Sequence, residues 1–237
     1  MNTIPIFAHR GASSIFLENT FSAFKKAKDL GADGVELDIQ ISKDAILMVF
    51  HDLNLRRLAG VRKLVTDCDY EELISYNLGP RFKRFFRRER MMAFQEVIDW
   101  ANQENIALNV ELKESLLTNQ QALRQFLETI HLPENSHFSS FYEPLLKVVK
   151  ETNPQFETAL IVTRKFDWTK LADRTFYDVV HAHKKYYKRQ YLKYCDEANI
   201  GIRFYGIDGK EAFLKSPHSA VIGWITDFPD KVRKIQK

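Results

Sequence analysis

The feature that most constrains this chain is a regular exchange of short β-rich runs and amphipathic helical stretches along its 237 residues. Runs of branched and aromatic residues cover 4–9, 34–38, 46–51, 106–113, 137–141, 158–162, 179–183, 200–205 and 221–226. Helix-period stretches between them include 20–30, 94–104, 119–131 and 190–198. A helix between two strands carries the chain back to the end where the first strand began, so the strands pair in parallel. The expectation is an α/β fold in a single domain spanning 1–237, a length that one core commonly serves.

Local signals agree. In the stretch from Thr20, the apolar positions Phe21, Phe24, Ala27 and Leu30 recur at helical spacing, with Asn19 as the expected N-cap and Gly31 as a left-handed stop. A shorter helix is expected over 69–76, opened by Asp69 as its cap. Two interruptions break the rhythm. Residues 42–45 leave no room for a helix, so the run at 46–51 returns either extended or as a hairpin, and the strand count exceeds that of an eight-stranded barrel by one. Residues 53–90 lack an obvious strand and read as a small helical insertion after the third strand. Its end, RFKRFFRRER, interleaves cations with aromatics; it reads as a solvated, snorkelling edge, with attraction of an anionic substrate or a lipid surface as the functional alternative.

Composition narrows the class. At 45% hydrophobic and 28% charged the chain can bury a sizeable core and is far from disorder. A formal charge of +4 is a small basic excess that makes anionic partners plausible but is not by itself a nucleic-acid signature, and no nucleic acid is expected. Cys68 and Cys195 have no CxxC spacing, so neither zinc nor a disulfide framework is indicated. No run is long enough for a transmembrane segment and the amino terminus lacks a secretory pattern, so a cytoplasmic protein is expected. Nothing in the sequence specifies an oligomeric state.

The chemistry concentrates in "VELDIQISKDAILMVFHD", residues 35–52. Side chains at i and i+2 of a strand share a face, so Glu36 and Asp38 project together while Val35, Leu37 and Ile39 pack the other way. Two adjacent carboxylates repel, and one must hold a proton unless a cation lies between them. A hard divalent ion with oxygen ligands, Mg²⁺ or Ca²⁺, is the simplest relief. In "NVELK" Glu111 and Lys113 repeat the pattern at another strand end, adding an oxygen and a positive charge. His9, followed by Arg10 and Gly11, closes the first run, and His51 closes the third. Each alone is a weak signal, yet burying all of them unpaired would cost several kcal/mol apiece.

The segments "AHRGAS...ENTFSAF", "GADGVELDIQISKDAILMVFHD", "NVELK", "SSF" and "ITDFPD" together resemble the glycerophosphodiester phosphodiesterase family over nearly the whole chain. The resemblance implies a TIM (β/α)8-like barrel and metal-dependent hydrolysis of a small-molecule glycerophosphodiester to glycerol 3-phosphate and an alcohol. It places His9 and His51 as the catalytic acid and base pair, Glu36, Asp38 and Glu111 as ligands of one divalent cation, and Arg10 and Lys113 against the phosphate. Two segments depart from the family pattern: "IRFYGID" stands where W-T-V-N is usual, which bears on substrate selectivity, and "MMAF" replaces I-P-T-L before a helix. Alternatives of other classes are a phospholipase acting on intact lipid through peripheral membrane contact, and a catalytically silent phosphodiester-binding barrel.

Several further residues carry expectations. Glu18 reads as support for Arg10 or His9. His181 and His183 share a strand face and read as structural histidines, with a second metal or a substrate contact as the alternative. Phe141, Phe204, Tyr205 and Trp224 lie near strand ends and either line the pocket or pack the core.

Overall fold

The computed structural model describes residues 3–80, 89–173 and 175–236. Ten strands form one sheet: β1 (Ile6–His9), β2 (Gly34–Ile41), β3 (Leu47–Val49), β4 (Met92–Ala93), β5 (Ala107–Leu112), β6 (His137–Ser140), β7 (Glu157–Ile161), β8 (Val179–His183), β9 (Ile202–Ile207) and β10 (Val221–Thr226). β1 pairs in parallel with both β2 and β10, which closes β1, β2 and β5–β10 into an eight-stranded parallel barrel. The helices are α1 (Phe21–Asp29), α2 (Tyr70–Ser75), α3 (Phe94–Glu104), α4 (Gln120–Leu127), α5 (Glu143–Thr152), α6 (Arg189–Ala198) and α7 (Pro229–Gln236). Among the described residues the β7–β8 and β9–β10 crossovers carry only short 3-10 turns, at Trp168–Asp173 and Ala212–Leu214.

The surplus strand has a simple place. β2 continues past the end of β1, and β3 folds back on this overhang as an antiparallel hairpin, with Ile39 opposite Val49 and Ile41 opposite Leu47. β4 adds to β3, also antiparallel. The hairpin is therefore the alternative realised at 42–45, and β3 stands outside the barrel. Between β3 and β4 the described residues form a 3-10 turn at Val65–Asp67, the six-residue α2 and two isolated bridges. Most of the basic run, residues 81–88, lies outside the described residues. Among the described residues no helix is long and apolar enough to cross a membrane.

Strand alternation divides the core. Outward-facing Val35, Leu37, Ile39, Val110 and Phe138 pack with Phe24 of α1, Val97 of α3, Leu123 of α4 and Val149 of α5. Phe204 and Trp224 belong to the matching layer under α6 and α7 and are fully buried, so of the four aromatics these two are core. Full burial of each such side chain contributes roughly 1.5–3 kcal/mol. Inside the barrel the apolar cluster is small, Phe7, Ala107 and Ile225. His137 stacks edge-on against both Phe7 and His181, and Arg203 pairs with Glu157 at 2.8 Å.

The helix starts follow capping chemistry with two corrections. Thr20, not Asn19, caps α1: its Oγ1 accepts from the Ala23 N–H, while Asn19 adopts φ +56 and turns its amide toward the barrel. Gly31 does end the helix in the left-handed region, at φ +83. Asp69 occupies the N-cap of α2 without making a capping bond; the Asp44 carboxylate accepts the Tyr70 N–H instead. The replaced segment before α3 contributes β4, and Glu96 accepts the Ala93 N–H at the helix start.

Candidate active site

Strand register builds the site. His9 of β1 is level with Glu36 of β2, which is level with Asn109 of β5; Asp38 is level with Glu111. All project from the carboxyl ends of barrel strands, the end where βα loops build active sites in this architecture. They border a cavity of about 170 Å³, whose wall includes His9, Arg10, Glu36, His51, Glu111 and Lys113. The buried Asn109, Ser139, His181 and Ile225 also line it, as do Phe141, Ile161 and Tyr205.

The loop after β1 is forced into shape by local sterics. Arg10 has φ +55 and Gly11 φ +82, and a Cβ on Gly11 would lie 2.7 Å from the Ala23 backbone. Glycine is needed there because it alone fits that close approach in the left-handed region. The turn lets the Arg10 N–H donate to Glu36 Oε2 at 2.9 Å while its guanidinium donates to Glu18 at 2.9 Å and lies 3.3 Å from Asp38. Glu18 thus supports Arg10.

Both imidazoles are tied through Nδ1 to a carboxylate. His9 Nδ1 is 2.7 Å from Asp227 Oδ1, which also accepts from the Ser13 hydroxyl. His51 Nδ1 is 2.8 Å from Asp52 Oδ1. With an ionised acceptor at Nδ1, that nitrogen carries the proton and Nε2 is left for the cavity. Burial opposes a charge on His9, but the Glu36 carboxylate and the Asp227 hydrogen bond outweigh it and raise its pKa to about 9. Burial also opposes ionisation of Asp52; hydrogen bonds from Arg57 and His51 more than offset this and hold its carboxyl below the ordinary value.

Glu36, Asp38 and Glu111 offer oxygens that all lie within 4.8 Å of one another. Burial, then repulsion from Asp38, lifts Glu36 to about 8, and the same causes raise Glu111. Asp38 is also buried, yet Lys113 and Arg10 outweigh the desolvation and keep it ionised. Lys113 Nζ donates to Glu111 Oε1 at 2.7 Å and lies 3.2 Å from Asp38 Oδ1, an oxygen that receives no well-directed hydrogen bond. Crowded carboxyls, one lifted far above its ordinary range, and a buried carboxylate oxygen that receives no well-directed hydrogen bond fit a hard divalent cation.

All seven residues singled out in the sequence, His9, Arg10, Glu36, Asp38, His51, Glu111 and Lys113, are brought together here. Sequence reasoning passed over Asp52 and Asp227, although both sit in quoted motifs, at "HD" and "ITDFPD", and over Arg57, Asn109 and Ser139. His181 joins the cavity, whereas His183 accepts from the Lys185 N–H and packs edge-on against Tyr205. No second group of three metal-capable side chains occurs among the described residues. In the departing "IRFYGID" segment Tyr205 faces the cavity, and Asp208 binds Lys184 at 2.9 Å.

A family profile described as "Glycerophosphoryl diester phosphodiesterase family" matches residues 9–231. A protein of Caldanaerobacter subterraneus subsp. tengcongensis named glycerophosphodiester phosphodiesterase is 28% identical over 232 residues, covering 95% of this chain and 94% of its own. One of the same name from Bacillus altitudinis is 28% identical over 253 residues, covering 98% of each chain. Among solved structures, an Oleispira antarctica phosphodiesterase in complex with the product sn-glycerol-3-phosphate superposes with a TM-score of 0.85 at 25% identity, over 98% of this chain and 96% of that one.

Proposed function

The chain belongs to the glycerophosphoryl diester phosphodiesterase family and is a glycerophosphodiester phosphodiesterase, and from that premise we propose that hydrolysis to glycerol 3-phosphate and an alcohol uses His9 and His51 as its acid and base. The observation that carries the proposal is the convergence, around one cavity, of two carboxylate-tethered imidazoles, two cations and three close carboxyl groups. The product named for the Oleispira antarctica relative supports the choice of substrate class.

The residues have separable tasks. Arg10 and Lys113 draw the phosphodiester anion into the cleft and offset charge that builds on its oxygens in the transition state. His51, with Nδ1–H committed to Asp52, presents Nε2 as the base that takes a proton from the attacking oxygen. As that oxygen bonds to phosphorus, the opposite P–O bond breaks, and protonated His9 gives its Nε2 proton to the departing alkoxide. The Asp227 hydrogen bond favours the protonated form of His9, as an acid requires. Glu36, Asp38 and Glu111 are the residues that would hold a divalent cation, Mg²⁺ or Ca²⁺, and such an ion supplies Lewis-acid polarisation of a phosphoryl oxygen.

The test is product analysis with a panel of glycerophosphodiesters and either ion. Glycerol 3-phosphate is expected, with His9→Ala and His51→Ala each losing about 10²–10⁴-fold in kcat while staying folded. Unchanged turnover after either substitution would remove that residue from its role.

A further inference from the structure

Arg57 sits outside the cavity, on the segment that follows β3, yet its guanidinium joins the supports of both halves of the site. Nε and Nη2 donate to the two oxygens of Asp52 at 2.6 and 3.1 Å. Nη1 and Nη2 donate to the two oxygens of Glu18 at 2.7 Å each. Asp52 in turn accepts from His51 Nδ1, and Glu18 accepts from Arg10. One planar group therefore grips both oxygens of two carboxylates at once, through four directed contacts that an ammonium with three donors cannot reproduce. The segment is itself anchored, since Leu55 and Leu58 beside Arg57 are buried with Met48 and Phe50.

We propose that Arg57 is a positioning residue, a clamp that fixes Asp52, and through it the orientation of His51, against the Glu18–Arg10 pair of the first βα loop. This rests on the base role assigned to His51 above. An ordinary exposed ion pair contributes little. The distinction here is that both acceptors hold catalytic groups. The two arms are unequal: without Arg57, Glu18 keeps a charged partner in Arg10, while Asp52 is left with the His51 ring that it must itself orient. The damage therefore falls on His51. Orientation acts on the chemical step more than on binding, and a small misplacement of a base can cost about 10²-fold.

The experiment compares wild type, Arg57→Ala, Arg57→Lys, Asp52→Asn and the Arg57→Ala/Asp52→Asn double variant on glycerophosphocholine with a saturating divalent cation. Arg57→Ala is expected to lower kcat by about 10- to 100-fold with KM within about 3-fold. Lysine should restore little, and added methylguanidine should restore part of the rate to Arg57→Ala. In the Asp52→Asn background the further loss from Arg57→Ala should stay within about 3-fold, because the clamp acts through that carboxylate. Wild-type kcat in Arg57→Ala, or the full single-variant loss repeated in the Asp52→Asn background, would overturn the proposal. Ring ¹⁵N spectra of His51 read the same link without turnover: the Nδ1–H tautomer should dominate in wild type and become mixed in Arg57→Ala. An unaltered tautomer would overturn the clamp even if no phosphodiester were cleaved, whereas wild type without turnover would overturn the functional reading alone.

Discussion

His9 and Asp227 stand 218 positions apart in the chain and 2.7 Å apart through Nδ1 and Oδ1. The bond joins the end of β1 to the residue just after β10, at the seam where the barrel closes. Closure thereby contributes to the protonation of a catalytic candidate.

Asp227→Asn should shift the alkaline limb of the pH–rate profile to lower pH. The acid role proposed for His9 requires its protonated form, so activity should fall as pH rises through its folded pKa of about 9. Glu36 is the larger support and remains, so the limb should move toward neutrality without vanishing. An unmoved limb in kcat/KM measured from pH 6 to 10 would dissociate His9 from it.

Chelation should abolish turnover reversibly, and added Mg²⁺ or Ca²⁺ should raise thermal stability. Binding at a hundred-fold excess over Kd contributes about 2.7 kcal/mol, roughly 5–10 °C for a domain of this size. Asp38→Asn should lose most of that shift, because of the three carboxyls it is the one that the site holds ionised. Scanning calorimetry with and without the ion decides it.

The barrel interior should lose stability on acidification through His137 and His181. Burial and the nearby Arg203 charge push both far below the ordinary histidine pKa, so they are neutral in the fold. An unfolded histidine takes a proton below about pH 6.5, and the fold cannot. The contribution is therefore full above that pH and declines as pH falls, by up to about 1.4 kcal/mol per unit for each residue. Glu36 and Glu111, raised in the fold, act in the opposite sense, so the informative quantity is a difference. In urea titrations, the unfolding free energy of wild type minus that of His137→Gln should shrink between pH 7 and pH 5.

Gly11→Ala should cost at least about 2 kcal/mol and reduce activity together, since both the positive φ and the approach to Ala23 exclude a Cβ. Chemical denaturation and steady-state kinetics on the same preparation would check that the losses coincide.

The period-2 pattern was enough to show that Glu36 and Asp38 share a face, that Glu111 and Lys113 repeat the arrangement, and that His9 and His51 end their runs. Those are local statements, fixed by the pleat of one strand at a time. The parallel α/β class was equally legible, because alternation of strand and helix leaves few other connections. What the chain order could not reveal was adjacency. The hairpin return of β3 depends on how far β2 overhangs β1, the choice of Thr20 over Asn19 as cap depends on Asp38 claiming the asparagine amide, and the Arg57 clamp needs two loops side by side. Asp227 gave no sign of its partner because strand periodicity specifies which way a side chain points, while only closure of the barrel specifies what it meets.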